Sequence, residues 1–194
     1  TRLNAGSSPQ PVVSAVNYKP FGPATRFNYG NGLQQLMDYD LDYRVSNIKT
    51  SVGGNDVQDA SYDYDLVNNI TDILDGIDPV NDQTFDYDEL NRLSSAIGSY
   101  GTLGYTYDGV GNRLTHMFNT VTGVTTETYA LDATSNRLLT VISASNKIRT
   151  FTYTPTGNVA TDASGFTASF TYNQANRLQQ VVNPDGTLRS YGYD

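Results

Sequence analysis

The chain contains one imidazole, His116. A single histidine excludes a histidine-rich metal site and any mechanism needing two imidazoles, and a Ser-His-Asp triad would have to be built on His116 alone. No Gly-x-Ser-x-Gly elbow accompanies it, and its position two residues past Leu114 predicts a strand-face side chain. Carboxylates are more plentiful. Asp72, Asp75, Asp78 and Asp82, with Asn81, supply the hard oxygen ligands that calcium takes, and Gly53-Gly54-Asn55-Asp56 has the outline of a calcium-binding repeat turn. Their spacing fits no EF-hand loop, and turn-forming aspartate accounts for them without an ion. The four remain calcium candidates, and no metal or cofactor is predicted. Asp86 with Asp88 has the composition of a glycosidase pair, but such a pair needs a cleft and a set separation, and its spacing recurs along the chain. No catalytic residue is predicted.

That recurrence leads to the elements. Tyr-Thr-Tyr-Asp at 105–108 has copies at Met37–Asp40, Tyr62–Asp65, Phe85–Asp88, Tyr129–Asp132, Phe151–Thr154, Phe170–Asn173 and Tyr191–Asp194, with an outlying one at Phe27–Gly30. The second large residue falls at Tyr39, Tyr64, Tyr87, Tyr107, Leu131, Tyr153, Tyr172 and Tyr193, in steps of 19 to 25 residues with a mean of 22. It is followed by Asp40, Asp65, Asp88, Asp108, Asp132, Thr154, Asn173 and Asp194. Twelve of the 15 tyrosines occupy an aromatic position of this unit, so the aromatic content belongs to a repeat.

Large side chains two apart lie on one face of an extended chain, which predicts a strand. The Asp that follows can accept the N–H two residues on, and Asn68, Asn91, Gly111 and Gly157 tolerate the positive φ that a reversal needs. We read Asp-x-x-Gly/Asn as a four-residue-class hairpin loop on a type I turn. Stretches such as Arg92–Ile97, Arg137–Ile142 and Arg177–Val182 supply a second strand, and a second turn closes the unit, most plainly at Asn183-Pro184-Asp185-Gly186. Leu66–Ile77 has a helix-compatible rhythm but aligns with the other second strands and is read as strand. The unit is thus a two-stranded brick that is marginal alone and must stack on its neighbours. The expected fold is an all-β, antiparallel ribbon of about eight hairpins.

Hydrophobic residues make up 38% of the chain and charged residues 16%, which suits thin layers and argues against disorder. A net charge of −8 and a pI near 4.4 disfavour nucleic acid or an anionic membrane as partner, and no apolar run is long enough for a spanning helix. Arg44, Arg92, Arg113, Arg137 and Arg177 sit at the position after the turn, where they read as structural. With no cysteine, disulfides and thiolate metal sites are excluded. Residues 1–26 form a Pro/Gly-rich lead-in in which Val12, Val13, Ala15 and Val16 predict an edge strand; residues 27–194 form the array. Exposed sheet edges predict self-association.

Tyr107-Asp108-Gly109-Val110-Gly111-Asn112-Arg113-Leu114, and its looser form at Tyr87–Leu93, resembles the signature of YD repeats, found in bacterial Rhs proteins, the C component of insecticidal Tc toxins and animal teneurins. The resemblance covers roughly residues 24–194. It implies a ribbon wound in a spiral into a hollow β-shell, which in polymorphic toxins encloses a C-terminal toxic domain. It further implies a secreted or bacterial cell-surface protein, with the rest of a longer chain as its partner. Leu131, Thr154, Asn173 and Val159 depart from the signature and predict less regular pairing in the later units. The competing expectation is an adhesion module whose Tyr and Asn surface binds glycans or a protein.

Overall fold

The computed structural model describes residues 2–5 and 8–194, with side chains from residue 11 onward. Among them are nineteen strands and no α-helix; Pro79–Asn81 form one 3-10 turn. No helix of the described residues is long and apolar enough to cross a membrane. β1 (Arg2–Ala5) and β2 (Ser8–Pro11) form a separate antiparallel pair.

The chain divides into two compact units, 1–102 and 103–194. In the first, β3 (Val13–Tyr18), β4 (Ala24–Tyr29), β5 (Gln34–Tyr39), β6 (Val45–Val52), β7 (Asn55–Tyr64), β8 (Ile70–Asp75), β9 (Gln83–Tyr87) and β10 (Leu93–Gly98) pair antiparallel in sequence order. β11 (Gly101–Tyr107) runs across the boundary. In the second unit β12 (Arg113–Thr120), β13 (Gly123–Leu131), β14 (Leu138–Ile142), β15 (Ile148–Tyr153), β16 (Val159–Ala163), β17 (Thr167–Tyr172), β18 (Leu178–Val182) and β19 (Leu188–Ser190) continue the same order. The edge strand expected around Val12–Val16 corresponds to β3, which pairs with β4. Leu66 lies outside any strand, in the loop before β8.

One irregularity recurs. Tyr39 pairs with Val45 while Asp38 pairs with Asn47, so Ser46 is an extra residue opposite the tyrosine. The same β-bulge stands beside Tyr64, Tyr87, Leu131, Tyr153 and Tyr172. A bulge strengthens local twist and re-aims side chains, and here it sets each tyrosine at the mouth of its loop. The later units carry the same bulge, and their loops match the earlier ones except after Leu131, where the loop is one residue longer.

Among the described residues only Thr50, Ala96 and Val181 are buried, and none completely. The chain exposes 12852 Å², against roughly 9,000 Å² for a globular protein of this mass. No deep core exists to hold the fold. Stability therefore comes from cross-strand pairs and from the joints between hairpins.

Candidate functional site

The functional feature is the joint made by each Asp-led loop. At Asp40 the backbone N–H donates to the Arg44 carbonyl at 3.0 Å and the Tyr43 N–H donates to the Asp40 carbonyl at 3.3 Å. Three residues, Leu41 to Tyr43, thus span the reversal, with Tyr43 at φ 62°. This is the three-residue hairpin, a type I turn followed by one left-handed residue, and not the four-residue loop expected. Asn68, Asn91, Gly111, Gly157 and Asn176 hold the same left-handed place, with φ between 56° and 96°.

The carboxylate is the hub of this loop. Asp40 Oδ1 accepts the N–H groups of Asp42 and Arg44, each at 2.9 Å, and Oδ2 accepts Arg44 Nε at 2.6 Å. Asp65 receives Val67, Asn69 and the Asn69 amide; Asp88 receives Leu90, Arg92 and Arg92 Nε; Asp108 receives Val110, Asn112 and the Asn112 amide. Burial pushes the Asp40 carboxyl up, but the Arg44 guanidinium and the two N–H donors outweigh it and hold it below the usual range. Asp108 is lowered first by the Asn112 amide, and Asp88 first by the Arg92 N–H. At Asp132 the loop is one residue longer, and Thr134 and Ser135, each through hydroxyl and N–H, bring the carboxyl down to about 2. Thr154 and Asn173 keep the geometry without a charge: Thr154 Oγ1 accepts the Asn158 N–H at 3.2 Å, and Asn173 Oδ1 accepts those of Ala175 and Arg177.

Each loop is then fastened to the next hairpin. Tyr64 donates its hydroxyl to the Val45 carbonyl at 2.8 Å, Tyr87 to Ile70 at 2.8 Å, Tyr153 to Leu138 at 2.7 Å, Tyr172 to Val159 at 3.0 Å and Tyr193 to Leu178 at 2.7 Å. Tyr39 does the same to Ala24 at 2.8 Å. In every case the acceptor is the fifth or sixth residue after the start of the preceding loop. Arginines of that loop stack on the same rings: Arg44 lies 4.7 Å from the Tyr64 centroid, Arg137 5.5 Å from Tyr153 and Arg177 4.9 Å from Tyr193. A side-chain ladder joins loop to loop, from Arg44 Nη1 to Asn68 Oδ1 at 2.7 Å, Asn69 to Asn91 at 3.1 Å, Asn112 to Asn136 at 3.2 Å and Asn158 to Asn176 at 3.2 Å.

Where Leu131 replaces tyrosine no hydroxyl is present to make this bond. Tyr129 turns instead to Glu127 at 2.7 Å and receives Arg113 Nη2 at 2.8 Å, with the Arg113 guanidinium 4.5 Å from its ring. His116 stacks on Tyr105 at 5.1 Å, and its Nε2 is buried without a hydrogen bond.

The calcium candidates are engaged in local bonds. Asp75 accepts the N–H groups of Ile77 and Asp78 and the Asn81 amide, Asp78 accepts Val80, Asp82 accepts the Asp75 N–H, and Asp72 accepts the Thr84 hydroxyl. Among the described residues no three His, Asp or Glu groups are arranged to hold a metal. Asp86, opposite Ser95 on β9, and Asp88, in its loop, serve separate roles in the repeat. Asp194 ends the chain beyond the last strand, exposed. Sequence reasoning missed the acceptor of the tyrosine hydroxyl, a main-chain carbonyl of the preceding hairpin.

The family model for the RHS Repeat matches residues 159–188, the stretch from β16 to the turn before β19. That stretch matches the Rhs repeat, and the same strand and loop geometry recurs on its N-terminal side. No curated protein matches the chain in sequence. In fold the array resembles chains in the Photorhabdus luminescens Tc holotoxin pore, with a TM-score of 0.63 and 19% identity over 92% of this chain. The TcdB2-TccC3 complex gives a TM-score of 0.63, 19% identity and 92% coverage, and TcdB2-TccC3 without its hypervariable C-terminal region gives the same values. The array spans only 11% to 12% of the length of those chains.

Proposed function

We propose that this Rhs/YD array is a non-catalytic wall segment of a larger secreted or surface-delivered bacterial protein, where it forms part of a shell around a C-terminal toxin or effector. The observation that carries this reading is the joint itself. Tyrosine, arginine and the loop Asp fasten one hairpin to the next, which serves extension of a sheet. A sheet with three buried residues among those described suits a wall, since a wall needs continuity and no interior of its own. The fold likeness to a small fraction of much longer Tc toxin chains supports the same reading. The rest of the parent chain is then its principal partner.

The test uses the full-length parent. Limited proteolysis is expected to spare the region C-terminal to the array, and electron microscopy to show hollow particles. A C-terminal region cut as fast as a free peptide, with no hollow particle, would sink the proposal. Saturable binding on a glycan array would favour the adhesion module instead.

A further inference from the structure

The corners of a reversal are normally polar or glycine, because they stand in water. At one end of the first unit's strands four successive loops each carry exposed apolar residues. Phe21, Leu41 and Leu66 are 111%, 99% and 103% exposed, and Val67 and Leu90 are also exposed. All five lie at the tips of the loops 19–23, 40–44, 65–69 and 88–92, which succeed one another along one end of the strands. Single exposed apolar residues are ordinary, but an aligned row marks an interaction surface. Successive hairpins are two strands apart, so the teeth of this comb recur at roughly 10 Å.

We infer that the loop edge of the first unit is a docking surface for the same edge of a second copy of this chain, seated antiparallel. Three observations select that occupant. The pitch of the comb is that of a hairpin array, and another array matches it at every tooth, whereas a heptad-spaced helix at about 10.5 Å drifts out of step by roughly 1 Å per tooth. The five tips together expose on the order of 800 Å², near the share each partner contributes to a standard interface. Charge sets the direction. A parallel seating would place Glu89 and Asp42, both exposed, against their own counterparts. Antiparallel seating is isologous: it sets Phe21 against Leu90 of the second copy and Leu41 against Leu66, and brings Glu89 to the loop that carries Lys19. Lys19 is half-buried, donates to the Tyr39 carbonyl at 3.2 Å and is the cation of that loop. This inference does not depend on the wall reading.

Sedimentation velocity of the 194-residue chain over a wide concentration range tests it. A monomer–dimer equilibrium is expected, weakened at least tenfold by Leu41→Ser with Leu66→Ser, whose side chains are fully exposed, so that far-ultraviolet circular dichroism stays unchanged. Glu89→Lys should weaken the dimer several-fold, an effect that fades as salt is added. A chain monomeric at every concentration would overturn the inference. So would a dimer indifferent to the two serines, which would locate pairing at the terminal strands, or a comb that binds neutral lipid vesicles while the protein stays monomeric.

Discussion

The two units use one loop design and differ in what they place around it. In the first, every Asp-led loop keeps its carboxylate, at Asp40, Asp65 and Asp88. The residue between the two large side chains, which faces away from them, is Asp38, Asp63 or Asp86. In the second unit the loops pass from Asp108 and Asp132 to Thr154 and Asn173, and the in-between residues are Thr106, Ala130, Thr152 and Thr171. Hydroxyls there pair across strands, Thr106 with Thr115 and Thr152 with Thr161, each at 2.6 Å. Asp63 in the first unit instead stands opposite Asp72. The second unit puts its charge on the aromatic face, where Arg149 holds Asp162 through two bonds of 2.7 and 2.5 Å. The comparison teaches that the acceptor at the loop's first position serves with or without charge, while the loop that opens at Lys19 closes the same backbone bonds with no side-chain acceptor there.

Acid should break the comparison most strongly. The folded carboxyls of Asp40, Asp65, Asp88, Asp108 and Asp132 all lie below their ordinary values, Asp132 at about 2. A depressed folded pKa contributes stability that is present above the unfolded value, near 4, and is lost as pH falls through the folded value. Stability should therefore be flat with respect to these groups above about pH 5 and decline from about pH 4 towards 2. The loss should begin in the first unit, because the Thr154 and Asn173 loops have no carboxylate to protonate. Amide chemical shifts of Asp42, Val67 and Leu90 followed against pH, beside those of Thr156 and Ala175, check this. Equal titration of both sets would sink it.

Truncation of a fastening tyrosine comes next. Tyr64→Ala removes a half-buried ring, its bond to the Val45 carbonyl and the surface on which Arg44 stacks, and is expected to cost about 3 kcal/mol. Leu131→Ala, at the same position of the second unit but with no such bond to lose, should cost about 1–2 kcal/mol. Urea unfolding of the two variants gives the difference. The reverse change is smaller: Leu131→Tyr supplies the missing hydroxyl and should raise stability by roughly 1 kcal/mol. An unchanged urea midpoint would mean that Tyr129, through Glu127 and Arg113, already does the work of the absent bond.

Much of this was legible before any coordinates. The aromatic spacing gave the strands, and Asn68, Asn91, Gly111 and Gly157 gave the left-handed positions, because φ above zero narrows the choice to few residue types. Arginine after the turn read as structural, and Arg44, Arg113, Arg137 and Arg177 lie over tyrosine rings. The loop length was misjudged because three- and four-residue hairpins share the Asp start and differ only in which carbonyl receives the closing N–H. The bulge beside each tyrosine was invisible, since an extra residue on one strand leaves no mark in a period-two pattern whose face is half polar. The acceptor of each tyrosine hydroxyl is a main-chain carbonyl, a group present at every position and so without a sequence signal.

The smallest effect tests the face away from the aromatics. Asp63 and Asp72 are direct cross-strand partners, and like charges so placed are destabilising by a few tenths to 1 kcal/mol. The second unit solves the same position with paired hydroxyls. Asp63→Thr copies that solution: it removes one charge, keeps a β-favouring side chain and leaves Asp72 bonded to the Thr84 hydroxyl at 3.0 Å. A gain of about 0.5 kcal/mol in urea unfolding is expected, larger at low ionic strength because the repulsion it relieves is exposed and screened by salt. A gain independent of salt would assign the benefit to strand propensity instead. A loss would mean that Asp63 is held by a partner worth more than the repulsion, and that the acidic face is built into the first unit's stability.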